Sequence, residues 1–149
     1  FINILLFYKK GIMIKGIVCV VDDERDVVKY HSGILSAAGY EVKKLYSVDQ
    51  VLEYLRENVP LCIVSDDNIG NTHGIEILEE IAAFGRLSKI GFVMVSGGKN
   101  DVSLVDRIKD LQGEYLSKPV DGELLIKVVE DQIKLHKPSE KFSNLRLLQ

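Results

Sequence analysis

From Gly16 onward, short uninterrupted apolar runs alternate with stretches in which apolar residues recur every three or four positions. IVCVV (17–21) is β-branched and continuous, as a strand covered on both faces requires. Val27, Val28, Ile34, Leu35 and Ala38 then line one side of a predicted helix that Gly39 can end. EVKKLY (41–46) reads as a second strand with a more polar face, hence nearer an edge. Ser47 and Gln50 form a capping box opening a helix over VDQVLEYLREN, which Pro60 punctuates. LCIV (61–64) is a third buried strand, followed by the polar, turn-rich loop SDDNIGNTHG. The helix in GIEILEEIAAF sets Ile75, Leu78, Ile81 and Ala82 on one face. GFVMV (91–95) is a fourth strand and runs into the small, polar SGGKND. Val102, Val105, Ile108 and either Leu104 or Leu111 follow at helical spacing. The short strand EYLS and a last helix within KPVDGELLIKVVEDQIKLH complete the pattern.

Five strands alternating with five helices predict an α/β fold whose parallel sheet is covered on both faces. Right-handed crossovers place the C-terminal end of every strand along one edge, where ligands of such sheets bind. The domain is expected over residues 16–136, with 1–15 an N-terminal extension and 137–149 a tail or linker. Met13 reads as a natural start, so residues 1–12 are expected to be upstream, non-native sequence; a real extra strand is the alternative. FINILLFYKKGIMI is too short to span a membrane and is interrupted by Lys9 and Lys10. It also lacks the marks of a signal peptide, so no membrane partner is expected, with a weak membrane or partner contact of this segment as a further alternative.

Composition narrows the picture only a little. With 149 residues, 46% hydrophobic and 28% charged, the chain suits one soluble domain and excludes wholesale disorder. A net charge of −3 gives no electrostatic footprint for direct nucleic-acid binding. Cys19 and Cys62 both lie inside predicted strands and read as small buried hydrophobes rather than a disulfide or zinc site. That usage fits a reducing cytoplasm.

The strand ends carry the chemistry. Asp22, Asp23 and Glu24 follow the first strand; Asp66, Asp67 and Asn68 follow the third; Ser96 follows the fourth, and Lys118 with Pro119 the fifth. Singly, such residues commonly cap helices. Together they bring acids, a hydroxyl and one lysine to a single edge. Clustered carboxylates call for a cation, and Mg²⁺ takes oxygen ligands while sharing its remaining positions with phosphate. Lysine supplies positive charge for an anion, serine a hydrogen bond. An aspartate between metal and lysine is then a candidate nucleophile that forms an aspartyl phosphate.

In order along the chain, VVDDE, IVSDDNIGNTHG, VMVSG and YLSKPV resemble the receiver domain of two-component response regulators, and LSAAGYEV resembles its link from first helix to second strand. The likeness covers roughly residues 16–135. It implies a flavodoxin-like, doubly wound sheet of order 2-1-3-4-5. By the same resemblance Asp66 is the phosphoacceptor, eight residues before the helix-opening Gly74. Asp22 and Asp23 match the pair that holds Mg²⁺ together with Asp66, and Asn68 sits where the family offers a backbone carbonyl. Lys118 matches the lysine that contacts the phosphoryl group, Ser96 the switch hydroxyl and Tyr115 the switch aromatic; the Lys118–Pro119 bond is a candidate for the cis form. Glu24 is read as a helix-start acid only.

The implied partners are a histidine kinase or phosphotransfer protein and an unspecified protein target, with homodimerisation through the fourth helix, fifth strand and fifth helix as a further option. Only self-phosphorylation and dephosphorylation would be catalysed. One alternative is the receiver piece of a longer regulator or hybrid kinase. A phosphatase with an aspartyl-phosphate intermediate is another, which Asn68 disfavours because such enzymes usually place a second aspartate there. Three departures stand out: Gly70 where many receivers have proline, Asp67 beside the nucleophile, and Gly97 with Gly98 after Ser96. A mobile 96–100 loop is expected from the last. His31, His73 and His136 lack a ligand cluster and are expected to play surface or partly buried structural roles. No phosphate-loop motif occurs.

Overall fold

A computed structural model of the chain describes residues 7–9, 12–98 and 101–137. Strands β3 (Ile17–Val21), β4 (Glu41–Leu45), β5 (Cys62–Ser65), β8 (Gly91–Ser96) and β9 (Glu114–Ser117) form one parallel sheet in the order β4-β3-β5-β8-β9. Renumbered among themselves, these are the five expected strands in the order 2-1-3-4-5. Two small hairpins stand outside the sheet: β1 (Phe7–Lys9) with β2 (Ile12–Ile14), and β6 (Asn68–Ile69) with β7 (Thr72–His73). The first shows that the extension before residue 15 contains paired strands.

Helices α1 (Arg25–Ala37) and α5 (Gly122–His136) cover one face; α2 (Val48–Tyr54), α3 (Ile75–Ala83) and α4 (Val102–Asp110) cover the other. Alternation along a strand decides which core each side chain joins. Val18 and Val20 of β3 share one core with Val28 and Leu35 of α1 and Leu125 and Val129 of α5, whereas Cys19 and Val21 share the other with Val51, Ile77 and Ile108. Fully burying such aliphatic side chains contributes about 1.5–3 kcal/mol each. None of the helices among the described residues is long and apolar enough to cross a membrane.

Several expectations need correction. The helix opened by Ser47 stops at Tyr54, short of Asn58, as the chain tightens into turns in which Arg56 N donates to the Glu53 carbonyl at 3.2 Å and Glu57 N to that of Tyr54 at 3.4 Å. Asn58 Nδ2 donates to the Tyr54 carbonyl at 3.0 Å, and the Arg86 guanidinium donates to that of Leu55. The capping box itself holds: Gln50 N donates to Ser47 Oγ at 3.1 Å, and Tyr46 N to Gln50 Oε1 at 2.8 Å. In α3 the buried residues are Ile77, Leu78 and Ile81; Ala82 is exposed. Val102 opens α4 with 70% of its surface exposed, leaving Ile108 to anchor that helix. Residues 99–100 of the expected mobile loop 96–100 and residues 138–149 of the expected tail 137–149 lie outside the described residues.

Candidate functional site: an acidic cluster at the strand ends

Parallel pairing aligns the ends of β3 and β5, with Val21 opposite Ser65, so Asp22 and Asp66 emerge side by side. One carboxylate oxygen from each of Asp22, Asp23 and Asp66 lies within 4.8 Å of the others. Asp22 is almost completely buried, the Asp66 side chain is 13% exposed, and Asp23 is open to solvent. Lys118 reaches in from the β9–α5 connection, its Nζ 3.2 Å from Asp22 Oδ2 and 3.4 Å from Asp66 Oδ1. The Lys118–Pro119 peptide is cis, as expected.

Burial is the leading influence on both inner carboxylates and raises their pKa. For Asp22 the Glu24 amide opposes that shift and the Asp66 charge adds to it, while Lys118 lowers it; for Asp66 the lysine is the main opposing influence. Burial also works against the charge on Lys118, yet Asp22 and Asp66 outweigh it and hold the lysine above its ordinary value. One cation among three carboxylates leaves the cluster short of positive charge. Its oxygen-only donor set and partial solvent access suit a hard divalent ion such as Mg²⁺.

The backbone around Asp66 is held tightly. Gly74, immediately before α3, lies so close that a Cβ there would sit 2.1 Å from the Asp66 carbonyl oxygen. Gly74 N donates to the Asp67 carbonyl at 2.7 Å, and Ser65 Oγ donates to the Asp66 carbonyl at 2.8 Å. Between Asp66 and Gly74 the polar segment folds into the β6–β7 hairpin rather than an irregular loop. Gly70 takes φ +62° as a turn residue there, a conformation tight hairpins need. Its amide donates to Asp23 Oδ2 at 3.1 Å, tying the hairpin to an outer acid of the cluster.

Ser96 ends β8 and is buried, its Oγ accepting from Gly98 N at 3.2 Å. Its carbonyl accepts from Lys118 N at 2.8 Å, so hydroxyl and lysine belong to adjacent strand ends. Tyr115 on β9 pairs with Met94 and packs, half-buried, against the core on the α2–α4 face. Asn68 begins β6 with an exposed side chain, two residues beyond Asp66. Sequence reasoning missed the Gly74 and Gly70 contacts. It also expected a surface or partly buried His31, whereas only 5% of that residue is exposed. His31 turns inward because α1 packs against both sheet and α5. His136 has both ring nitrogens 3.1 Å from the carbonyl oxygens of Ser88 and Gln112, a structural role.

The sequence profile of the response regulator receiver domain matches residues 18–130. The transcriptional regulatory protein BaeR of Escherichia coli O6:H1 is 28% identical over 127 residues, covering 83% of this chain and 50% of BaeR. NtrX from Brucella abortus superposes with a TM-score of 0.75 at 27% identity, covering 87% of this chain and 29% of NtrX. A CheY-like receiver domain protein from Methanospirillum hungatei JF-1 shares the fold, with TM-score 0.72, 19% identity and coverage of 80% and 94%. The chain thus spans half or less of the BaeR and NtrX chains. A profile match running from β3 into α5 over this sheet order makes the chain a member of the response regulator receiver domain family of two-component signalling.

Proposed function

We propose that the domain accepts a phosphoryl group on Asp66 from a histidine kinase or phosphotransfer protein, with Mg²⁺, and so switches a protein-binding face. The observation that carries this reading is the placement of Asp66. Its carboxylate lies at the end of a central strand, with an oxygen within 4.8 Å of one on each of Asp22 and Asp23 and 3.4 Å from Lys118 Nζ. Asp22, Asp23 and Asp66 would hold the metal, with the backbone carbonyl of Asn68 as a further ligand. When bound, Mg²⁺ supplies positive charge against the phosphoryl oxygens.

An Asp66 carboxylate oxygen attacks phosphorus, the bond from phosphorus to the donor nitrogen breaks, and its electron pair returns to that nitrogen. Lys118, whose Nζ is 3.4 Å from Asp66 Oδ1, then leaves that contact and pairs with the transferred group. The Ser96 hydroxyl, held now by Gly98 N, turns to donate to a phosphoryl oxygen, and Tyr115 follows it inward. Those movements reshape the surface of α4, β9 and α5, where the exposed Val102 offers contact area for a target or a second copy. Incubation with acetyl phosphate and Mg²⁺ tests the reading by intact mass. One phosphoryl group per chain, absent with chelator and in Asp66→Ala, is expected. Steady turnover of a simple phosphoester would point to a phosphatase instead.

A further inference from the structure

The three clustered acids are not held equally. Asp22 Oδ1 accepts from Glu24 N at 3.0 Å, and its Oδ2 lies 3.2 Å from Lys118 Nζ. Asp66 Oδ1 lies 3.4 Å from the same ammonium. Asp23 is exposed, and among the described residues its carboxylate has one partner, the Gly70 amide, 3.1 Å from Oδ2. That donor is itself fixed from both sides. Ile69, next to it, is 2% exposed and belongs to the core on the α2–α4 face. Across the hairpin Thr72 pairs with Ile69, and Thr72 Oγ donates to the Ile69 carbonyl at 2.7 Å. His73 N then donates to Glu76 Oε2 at 3.1 Å, anchoring the returning strand to α3. A Cβ on Gly70 would meet nothing within 4 Å, so glycine serves there for its φ of +62° and not for space. Proline could supply neither that torsion nor the N–H.

We propose that Gly70 is a positioning residue for the cation, its amide holding Asp23 in the arrangement that completes the Asp22, Asp23 and Asp66 donor set. This assignment rests on the metal-assisted phosphoacceptor reading above. An exposed aspartate turns about two side-chain torsions, and a single fixed donor settles where its oxygens stand. The bond does not compete with a metal. A carboxylate offers about four lone-pair sites, and one amide occupies one of them. Such outer bonds orient a ligand before the ion arrives, so less ordering remains to be done on binding. The effect is mutual: an ion that needs Asp23 in place also holds the turn of the β6–β7 hairpin in place.

The test is a Mg²⁺ titration followed by NMR on the full chain, with the Gly70 N–H either intact or replaced by an ester oxygen. The ester deletes the donor and keeps the freedom of glycine at the turn. It is expected to lower Mg²⁺ affinity about tenfold in the otherwise wild-type chain. In an Asp23→Ala chain the same ester is expected to change nothing, because its acceptor is gone. The ester also weakens the Ile69 carbonyl, but it does so in both backgrounds and drops out of the comparison. Saturating Mg²⁺ is expected to slow exchange of the Gly70 amide in the unaltered chain. Equal losses in both backgrounds overturn the proposal, since the hairpin's shape and not its bond to Asp23 would then carry the effect. Unaltered affinity of the ester chain, or Gly70 exchange indifferent to Mg²⁺, overturns it and leaves the phosphoacceptor reading standing. A wild-type chain that binds no Mg²⁺ overturns the metal-assisted reading, and the role of Gly70 with it.

Discussion

Replacing Gly74 by alanine sets a methyl group 2.1 Å from the Asp66 carbonyl oxygen and 2.7 Å from Ser65 Oγ. Ordinary contacts begin near 3.4 Å, so the Asp66 peptide and the start of α3 must separate by roughly 1 Å. Overpacking against backbone costs about 1–3 kcal/mol. Taking about 2 kcal/mol, Tm falls by about 7 °C for a domain of this size. The displaced peptide carries Asp66, so Mg²⁺ affinity is expected to fall about tenfold, as when other supports of a metal ligand are lost. Gly33→Ala is the matched control: its Cβ meets nothing within 4 Å on an exposed turn of α1. That change is expected to stabilise by about 0.5–1 kcal/mol through helix propensity. Urea and thermal unfolding followed by circular dichroism, with a Mg²⁺ titration of each variant, measure these quantities. A Gly74→Ala domain as stable as wild type, with unaltered Mg²⁺ affinity, would refute the idea that this contact orients Asp66.

Three further outcomes follow from the same geometry. Gln132→Leu removes the acceptor 3.0 Å from Phe92 N, and leaving that buried amide unpaired is expected to cost about 1–3 kcal/mol, with amide exchange accelerated at Phe92. Asp22 and Asp66 bind protons more tightly folded than unfolded, so they contribute stability below their ordinary value of 3.8 and lose it as pH rises through the folded pKa. Asp66→Asn is therefore expected to stabilise the metal-free domain at pH 7 and not at pH 3 in paired urea melts. Chelating Mg²⁺ present at ten times its Kd is expected to lower wild-type stability by about 1.4 kcal/mol, and to leave Asp66→Asn nearly unchanged.

The sheet was legible in the sequence because a strand buried on both faces must be apolar throughout, and IVCVV and GFVMV admit no other placement. The acids were legible through topology, since parallel connections bring β3 and β5 to the same edge whatever lies between them. Helix phase was harder to read. Ile77 and Ala82 lie on opposite flanks of the arc that holds Leu78 and Ile81, about 140° apart at 3.6 residues per turn, and the packed helix is turned so that the first is buried and the second exposed. Buried polar residues were invisible for a different reason. Gln132 faces inward because β9 begins opposite Val93 and leaves the amide of Phe92 without a ladder partner. Asp23 and Gly70 stand 47 residues apart, and no local pattern announces a backbone amide reaching a carboxylate.

Phosphorylation on Asp66 is the central claim, and borohydride reduction of the acetyl-phosphate-treated protein tests it most directly. Reduction converts an aspartyl phosphate to homoserine, which peptide mass spectrometry then places in the sequence. Homoserine at position 66, formed only with Mg²⁺, is the expected result. Homoserine at position 22, 23 or 67, or none at all, would contradict it.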